Sequence, residues 1–466
     1  MPDKDRLSRR TLLAGGLAGL AGCTGTGTGT GGSGPSSPAG TAGAPARTRP
    51  PNPFDALYPP GFRLSPLTVD PEPAPSPLPY PPSGLADAVL DPRYRTRLYR
   101  AASASQGEGG RMRHEYSRRQ AFNADCTRYL TQDGRGAWYL NDATTLTQLR
   151  RLPELVGDCE PIWHSRDPDR LYLTGRNGAT GWWSYDVTSG TRELWYDFAQ
   201  DPPWPQATGY WTRGEGTTSA DGRYLTLLAT SYDAGSQRLT GHGVVVLDLE
   251  ERRLAGRLDA ADFPTPGALP DHVSTSPSGE YAVVSWLAAD GGTRAWRRDF
   301  STSVQLAAAS EHSDLAVGAD GQDYLVYADY GSGQIRAITV ATGDSFDLHP
   351  LYPAAGEGYA VHLSGQGFDR PGWVVVSTYA DFADHGSTRP APTPRPEYRK
   401  VWLLSLSRTP VALSVCGTQV DSARAGEEYF AEPQATVSRD LSRILFASNA
   451  GGPVESYLVG LPSWVV

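Results

Sequence analysis

The sequence of 466 residues lacks a block of basic residues, since lysine occurs only at Lys4 and Lys400 and the formal net charge is -9. An acidic chain without a basic stretch argues against a nucleic-acid partner. Beyond the N-terminal region no segment is apolar and long enough to span a bilayer, which takes about 20 residues. A GxSxG sequence is also absent, so the chain offers no serine nucleophile of that type.

Cysteine is scarce, with Cys23, Cys126, Cys159 and Cys416 only. No CxxC pair or His–Cys cluster suggests a structural zinc site. Apart from Cys23 the count is odd, so at least one cysteine is unpaired. Cys126 and Cys159 fall at opposite ends of predicted strands and are not expected to form a disulfide. Helical periodicity is nearly absent as well, while 52 glycines, 39 prolines and 23 tyrosines are typical of short strands joined by many turns.

The N-terminus carries a pattern typical of export, "SRRTLLAGGLAGLAGC". Paired Arg9 and Arg10 precede a short apolar run that ends in "LAGC", which resembles a twin-arginine signal followed by a lipobox. We therefore expect residues 1–23 to be an export signal and Cys23 to be lipidated, placing the protein at the bacterial cell envelope with membrane contact through the lipid alone. The alternative is an ordinary signal peptide. Residues 24–51, rich in Gly, Ser, Thr and Pro, predict a disordered tether.

Residues 52–112 are rich in proline and predict a segment that wraps over the domain, with a closing strand near residues 91–103. Residues 113–466 repeat a unit of about 50 residues, a length typical of propeller blades. Seven units begin with "QAFNADCTRYLT", "EPIWHSRDPDRLYLT", "GEGTTSADGRYLTLLA", "DHVSTSPSGEYAVVSW", "EHSDLAVGADGQDYLVYA", "AVHLSGQGFDRPGWVVVSTY" and "EPQATVSRDLSRILFASN". We therefore predict an all-β, seven-bladed β-propeller of four-stranded antiparallel blades. Six or eight blades, or a pair of β-sandwiches, are the alternatives.

Tight turns support this organisation. "SADGRYL", "SPSGEYA" and "GADGQDY" each place Asp or Ser with Gly where a hairpin needs a positive φ.

In a propeller the first strand of each blade lines the central channel, so residues at the start of these strands converge on one funnel. Polar and ionisable residues recur at this position, including four of the eight histidines: Arg118, Glu160, His164, Arg213, Glu215, His272, His312, His362, Glu432 and Gln434.

Several of these residues also have a structural interpretation. His164 in "WHSRDPDR" is expected only to bind its own turn, and Glu160 and Glu432 each precede a proline and would then end a loop. His272, His312 and His362 recur at similar repeat positions, which favours a ligand site over three unrelated histidines. Clustered imidazole and carboxylate groups can bind a metal or shift one another's pKa.

The repeat pattern over residues 90–460 resembles the bacterial propellers related to oligogalacturonate lyases and, more distantly, the TolB-type propeller. "HSDLAVGADGQDYLV" resembles the lyase segment whose His binds a divalent metal, which points to His312, and "DHVSTSPSGEYAV" resembles the segment with the catalytic His, which points to His272. "EPQATVSRDLS" stands where the lyases have a His/Gln-rich metal segment. Here only Gln434 is of the expected type, with Glu432 nearby as an oxygen ligand.

The resemblance implies a metal-assisted β-elimination of uronic-acid oligosaccharides. His272 would be the base and Arg213 the carboxylate clamp. A divalent metal, Mn or Ca, would be held by His312, His362, Glu432 and Gln434. The expected substrate-binding residues are Arg118, Glu160, Glu215 and Trp211.

Two other functions remain open. One is a non-catalytic module that docks an envelope protein or a glycan, using the long insert "ADFADHGSTRPAPTPRPEYR". The other is a hydrolase that uses the same carboxylates. In either case the expected partner is a carbohydrate or an envelope protein, and the chain is expected to be monomeric.

Overall fold

A computed structural model describes residues 49–68, 71, 88–354, 357–382, 395–420 and 428–466. Residues 46–466 form one compact unit, to which all the elements below belong. The predicted export signal with Arg9, Arg10 and Cys23, the tether up to residue 48 and most of the long insert lie outside the described residues. Among the residues described, no helix has both the length and the apolar character needed to cross a membrane.

The regular secondary structure of the described residues is almost entirely β-strand. Before the repeats come β1 (Ser65–Pro66), β2 (Val89–Leu90) and β3 (Arg97–Arg100). Sheet A has β4 (Arg111–Arg113), β5 (Arg128–Asp133), β6 (Ala137–Asp142) and β7 (Gln148–Val156). Sheet B has β8 (Ile162–Trp163), β9 (Arg170–Leu173), β10 (Gly181–Asp186) and β11 (Arg192–Asp197). Sheet C has β12 (Gly209–Trp211), β13 (Tyr224–Asp233), β14 (Arg238–Asp248) and β15 (Arg253–Asp259).

The same plan continues through the second half. Sheet D has β16 (His272–Thr275), β17 (Tyr281–Ser285), β18 (Thr293–Arg297) and β19 (Ser303–Ala307). Sheet E has β20 (Ser313–Val317), β21 (Asp323–Asp329), β22 (Gln334–Thr339) and β23 (Ser345–Pro350). Sheet F has β24 (Gly358–Ser364), β25 (Trp373–Phe382), β26 (Lys400–Ser405) and β27 (Ala412–Gly417). Sheet G has β28 (Thr436–Val437), β29 (Arg443–Ser448) and β30 (Val454–Gly460). The short helices are α1 (Glu428–Ala431) and the 3-10 turns Asp55–Leu57, Ala104–Gln106, Ala260–Asp262 and Ala288–Asp290.

Within each sheet, consecutive strands pair antiparallel in chain order. The predicted hairpins join the first and second strands of sheets C, D and E. Gly222, Gly279 and Gly321 have φ values of 79°, 74° and 77° in these turns. Each glycine N–H closes its turn on the carbonyl three residues earlier, at 2.8 to 2.9 Å. The residue types at these positions therefore predicted the local conformation correctly.

Sheet G takes its outer strand from the N-terminal side of the repeats. β3 pairs antiparallel with β30, in the closing position predicted for residues 91–103. β30 also pairs in parallel with β4 over two residues, Val454 with Arg111 and Glu455 with Met112, which joins sheets A and G. Residues far apart in the chain are thus hydrogen-bonded in one sheet.

The core consists of apolar layers between neighbouring sheets. Trp138 of sheet A shares a layer with Tyr185 of sheet B, and Val244 of sheet C shares one with Trp286 of sheet D. The largest layer joins sheets F, G and A and includes Phe54, which is fully buried. A four-stranded sheet cannot bury both faces by itself, so each sheet depends on its neighbours.

The first strands of sheets A and C are interrupted. In sheet A the pairing of β4 is followed by a single bridge from Phe122 to Tyr129, and residues 114–121 leave the ladder between them. In sheet C, residues 212–217 leave the ladder between β12 and the bridge from Thr218 to Leu225. These two excursions carry Arg118 and Glu215.

Cys126, Cys159 and Cys416 are all buried and free of disulfides, as expected for the first two. Burial raises the pKa of Cys126 and of Cys159 to about 12, so both thiols stay protonated at neutral pH.

Candidate functional site

An arginine, a histidine and a glutamate from three different sheets meet at the end where the first strands begin. Arg118, on the excursion of sheet A, places Nη1 2.5 Å from Nε2 of His272, the first residue of β16. The same Nη1 lies 3.0 Å from Oε2 of Glu215, on the excursion of sheet C. The other nitrogen, Nη2, donates to Ser313 Oγ at 2.5 Å and to the Glu311 carbonyl at 3.1 Å. Arg118 therefore connects sheets A, C, D and E.

The contact with Arg118 determines which nitrogen of His272 is basic. A guanidinium group only donates hydrogen bonds, so Nε2 must accept and the proton of the neutral ring lies on Nδ1. Nδ1 is buried without a hydrogen-bond partner. Its nearest carboxylate oxygens are Glu215 Oε2 at 3.7 Å and Asp271 Oδ2 at 3.9 Å. The geometry thus presents the lone pair of a neutral imidazole to a cation.

Two more histidines stand beside this group. The rings of His312 and His362 are 4.6 Å apart between centroids. Nδ1 of His312 lies 3.0 Å from the Val361 carbonyl and 3.3 Å from Tyr379 Oη. Burial lowers the pKa of His312 and, more strongly, that of His362, where the neighbouring His312 and the arginines add to the effect. Both imidazoles are therefore neutral at pH 7.

A carboxyl group and an amide complete the cluster. Glu432 Oε2 lies 3.5 Å from His362 Nε2, and Gln434 Nε2 lies 3.4 Å from the same oxygen. Burial raises the pKa of Glu432 to about 8. The amide oxygen of Gln434 accepts a short hydrogen bond from Arg113 Nη2. We call Arg118, Glu215, His272, His312, His362 and Glu432 the upper cluster.

Below the cluster, Asp314 sits in the first strand of sheet E. Burial raises its pKa to about 6, against hydrogen bonds from the Gly365 amide at 2.7 Å and the Gln366 side chain at 3.0 Å. It therefore links sheets E and F.

The predicted metal ligands come together, but they do not form a ready cation site. Within the described residues there is no group of three or more His, Cys, Asp or Glu side chains with the geometry to hold a metal ion. The amide oxygen of Gln434 is already hydrogen-bonded to Arg113 and is not free to bind a cation. A divalent cation prefers anionic oxygens and free imidazole nitrogens, so this arrangement does not fit one.

Three residues that were predicted to contact the substrate, Glu160, Trp211 and Arg213, make hydrogen bonds within the protein. Glu160 is fully buried, and its carboxylate accepts the Thr212 and Gly214 amides at 2.7 and 2.5 Å, so both of its oxygens bind main chain. Trp211 is also buried and donates to Thr230 Oγ1 at 3.0 Å. Arg213 Nη1 donates to the Pro270 carbonyl at 2.5 Å, whereas the contact with His272 is made by Arg118.

Sequence reasoning missed Arg113 and Tyr379. Arg113 belongs to β4, before the unit that was taken to begin the repeats, although the run "RMRHEYSRR" contains four arginines and marks the segment as unusual. Tyr379 is on the second strand of sheet F, whereas the repeat pattern points only to residues at the start of first strands. Its ring is 4.6 Å from that of His362.

No family model matches the chain, and no curated protein matches it. Solved structures do. The oligogalacturonate lyase from Vibrio parahaemolyticus aligns with a TM-score of 0.56 and 14% identity over 82% of this chain and 97% of that one. An oligogalacturonate lyase in complex with manganese aligns with a TM-score of 0.55 and 15% identity over 83% and 98%. At this identity the likeness shows the fold alone. The chain therefore has an all-β fold of the propeller type, as predicted, similar to that of oligogalacturonate lyases.

Proposed function

We propose that this chain is a seven-bladed propeller with sheets A to G as its blades, which acts on uronic-acid oligosaccharides by β-elimination. The observation that carries the proposal is the contact between Arg118 and the basic nitrogen of His272, beside Glu215, whose side chain is 20% exposed. The pairing of β3 with β30 and the layer shared by sheets F, G and A support a closed ring. The fold shared with oligogalacturonate lyases supports this substrate class.

The chemistry starts from the acidity of a uronic acid at C5. That proton becomes removable when the adjacent carboxylate is neutralised. Arg118 is better placed for this than Arg213, because it is the arginine next to His272. The carboxylate would compete for the Nη1 donor that now occupies His272 Nε2. As Arg118 turns to the substrate carboxylate, the lone pair of His272 Nε2 is released from its hydrogen bond and can reach the substrate.

The elimination then follows from one proton transfer. Nε2 of His272 takes the C5 proton, the C5–H electron pair forms the C4–C5 double bond, and the C4–O bond breaks. The leaving oxygen takes a proton from solvent or from a neighbouring acid. Glu215, close to Nδ1, stabilises the imidazolium that forms. Apart from the proton that the leaving oxygen takes up, these steps use only side chains of this protein.

A divalent cation is supported by the lyase structure that contains manganese. In this chain the candidate ligands His312, His362, Glu432 and Gln434 do not fit a cation as they are arranged, and no step is derived through one. This departure favours a second candidate, a non-catalytic propeller that docks a glycan or an envelope protein. The same upper cluster would then be the recognition site.

Export and anchoring are part of the proposal and depend on residues 1–23. Arg9 and Arg10 would direct export, and Cys23 would carry the lipid that holds a monomeric propeller at the cell envelope. The N-terminal peptide of protein isolated from membranes should carry the lipid mass at Cys23. A Cys23→Ser variant that remains with the membrane would contradict the anchor.

The activity is tested with the chain from Cys23 onward carrying Cys23→Ser. It is incubated with oligogalacturonate and other uronic-acid oligosaccharides, with chelator, Mn²⁺ or Ca²⁺. The lyase proposal expects a rise in ultraviolet absorbance from the unsaturated product. Binding of these sugars without any product would favour the docking module. Neither binding nor product over the whole panel would overturn the carbohydrate proposal.

A further inference from the structure

The loop of residues 212–216, which presents Glu215 to the upper cluster, has an unusual backbone. Arg213 and Gly214 have φ values of 63° and 81°, in the left-handed region that a residue with a side chain rarely adopts. A loop of this kind returns to other conformations unless its surroundings hold it. The contacts that hold it therefore determine where the Glu215 carboxylate lies. We call these residues the C loop.

One end of the C loop is held from the neighbouring sheet by Glu160. Its Oε2 accepts the Thr212 amide at 2.7 Å and its Oε1 accepts the Gly214 amide at 2.5 Å, so both oxygens bind the loop main chain. The side chain is fully buried, and burial raises its pKa despite these hydrogen bonds and the nearby Arg119. A buried carboxyl group is costly to the fold. Both of its oxygens bind the main chain of this loop, which fits a role in the C loop.

The other end is held by Arg119. Nη1 donates a short hydrogen bond to the Gly216 carbonyl, and Nη2 donates to the Pro161 carbonyl at 3.2 Å. Within the loop, the Gly216 amide donates to Thr212 Oγ1 at 3.0 Å. A Cβ atom on Gly216 would lie 2.1 Å from the Val273 carbonyl, so the loop is also pressed against β16. Glu160 and Arg119 together leave the loop little freedom.

We propose that Glu160 is a positioning residue that, with Arg119, holds the C loop so that the Glu215 carboxylate faces Arg118 and His272. The proposal rests on the proposed function for its kinetic consequence. Glu215 Oε2 lies 3.0 Å from Arg118 Nη1 and 3.7 Å from His272 Nδ1. A shift of the loop by about 1 Å would break the first contact and leave Arg118 without its counterion. Glu160 thus acts on the reaction through Glu215 without touching the substrate.

Glu160→Gln is the direct test, because it keeps the shape but replaces one acceptor oxygen with a donor. Glu193→Gln, on the exposed outer strand of sheet B, is the matched control. We expect Glu160→Gln to lower kcat by about 10- to 100-fold with KM within about 3-fold, as for residues that orient a catalytic group. Glu193→Gln should leave both unchanged. Wild-type kcat in folded Glu160→Gln would overturn the proposal.

A double-mutant cycle separates positioning from general structural support. If Glu160 acts through Glu215, the Glu160→Gln/Glu215→Gln protein should be within about 3-fold of Glu215→Gln alone. Multiplying effects would overturn the proposal. If Glu160→Gln does not fold, Gly214→Ala disturbs the same loop through its positive φ and should give the same kinetic pattern and the same coupling to Glu215→Gln. Normal kinetics in Gly214→Ala would count against the proposal.

Hydrogen exchange gives a readout that does not need activity. Peptides covering residues 209–217 should exchange faster in Glu160→Gln than in wild type and in Glu193→Gln, because glutamine keeps only one acceptor oxygen for the Thr212 and Gly214 amides. Unchanged exchange there would overturn the positioning role even if the wild type is an active lyase. If the wild type has no lyase activity but exchange is faster in Glu160→Gln, the role of Glu160 in holding the C loop stands and the proposed function is rejected instead.

Discussion

The two ends of the first strands use polar residues differently. In the upper cluster the partners are far apart in the sequence, since Arg118 is 154 residues from His272 and 195 from Ser313. At the opposite end, polar side chains bind their own turns. Asp221 accepts the Arg223 amide two residues later at 3.0 Å. His164 Nδ1 accepts the Arg166 and Asp167 amides at 3.1 and 2.9 Å.

This difference separates residues that make the fold from residues that converge on a site. A side chain satisfied by its own turn is explained by local conformation, and its hydrogen-bonding capacity is used up there. The residues of the upper cluster meet only because the sheets bring them together, and they keep unmatched groups such as Nδ1 of His272 and of His362. Substitutions in the upper cluster should therefore lower activity, whereas substitutions in the turns should lower stability.

The largest effect is expected from the two histidines. His272→Gln should lower kcat/KM on a uronic-acid oligosaccharide by about 10²- to 10⁴-fold, because the base is removed. His164→Gln should leave kcat/KM within about 2-fold and cost about 1 kcal/mol of unfolding free energy, because only a turn contact is lost. Steady-state kinetics and urea unfolding measure both. Equal kinetic effects of the two substitutions would show that the upper cluster is not the reaction site.

The next effect compares the two arginines assigned to carboxylate binding. Arg118→Lys should lower kcat/KM by about 10²- to 10³-fold, since a lysine cannot reproduce the forked contacts to His272, Glu215 and Ser313. Arg213→Lys should cost about 10-fold or less, because Arg213 donates to the Pro270 carbonyl and not to the base. Kinetics over a range of substrate concentrations separate kcat from KM. A larger loss for Arg213→Lys would return the carboxylate clamp to that residue.

A pH effect on stability is expected from His114, which is buried between Ser456 and the Gln434 carbonyl. Burial lowers its pKa from 6.5 to about 3. Between these values His114 is protonated in the unfolded chain but not in the folded chain, so stability falls as the pH falls below 6.5. The loss of unfolding free energy between pH 7.5 and 4.5 should be about 2 to 3 kcal/mol smaller in His114→Gln than in wild type. An equal loss in both proteins would contradict this assignment.

The smallest effect is expected from a turn. Asp221→Ala removes the acceptor for the Arg223 amide and for Ser219 Oγ, and should cost about 1 kcal/mol of unfolding free energy. Activity should be unchanged, because this turn is at the end of sheet C away from the upper cluster. Urea unfolding and initial rates measure the two. A loss of activity without a loss of stability would show that this turn contributes to the reaction, contrary to the expectation.

The repeat and the turn residues made the strands predictable. Gly222, Gly279 and Gly321 stand where positive φ closes a hairpin, and this requirement is local. The gathering of His272, His312 and His362 also followed from their similar positions in the repeats. The excursions in sheets A and C did not, because nothing near residues 114–121 marks a break in the ladder. That break is why Arg118, and not Arg213, is the arginine next to His272.

The sequence by itself determined the all-β class, the turns and the set of ionisable residues that begin the repeats, because these depend on period-two patterning and on the φ angles that individual residues adopt. Only the tertiary structure decided which of those residues touch. Glu160 is buried and binds the main chain of the C loop, and the oxygen of Gln434 accepts from Arg113. Contacts between different sheets depend on how the main chain leaves each ladder, and that is decided by the packing of the sheets against one another.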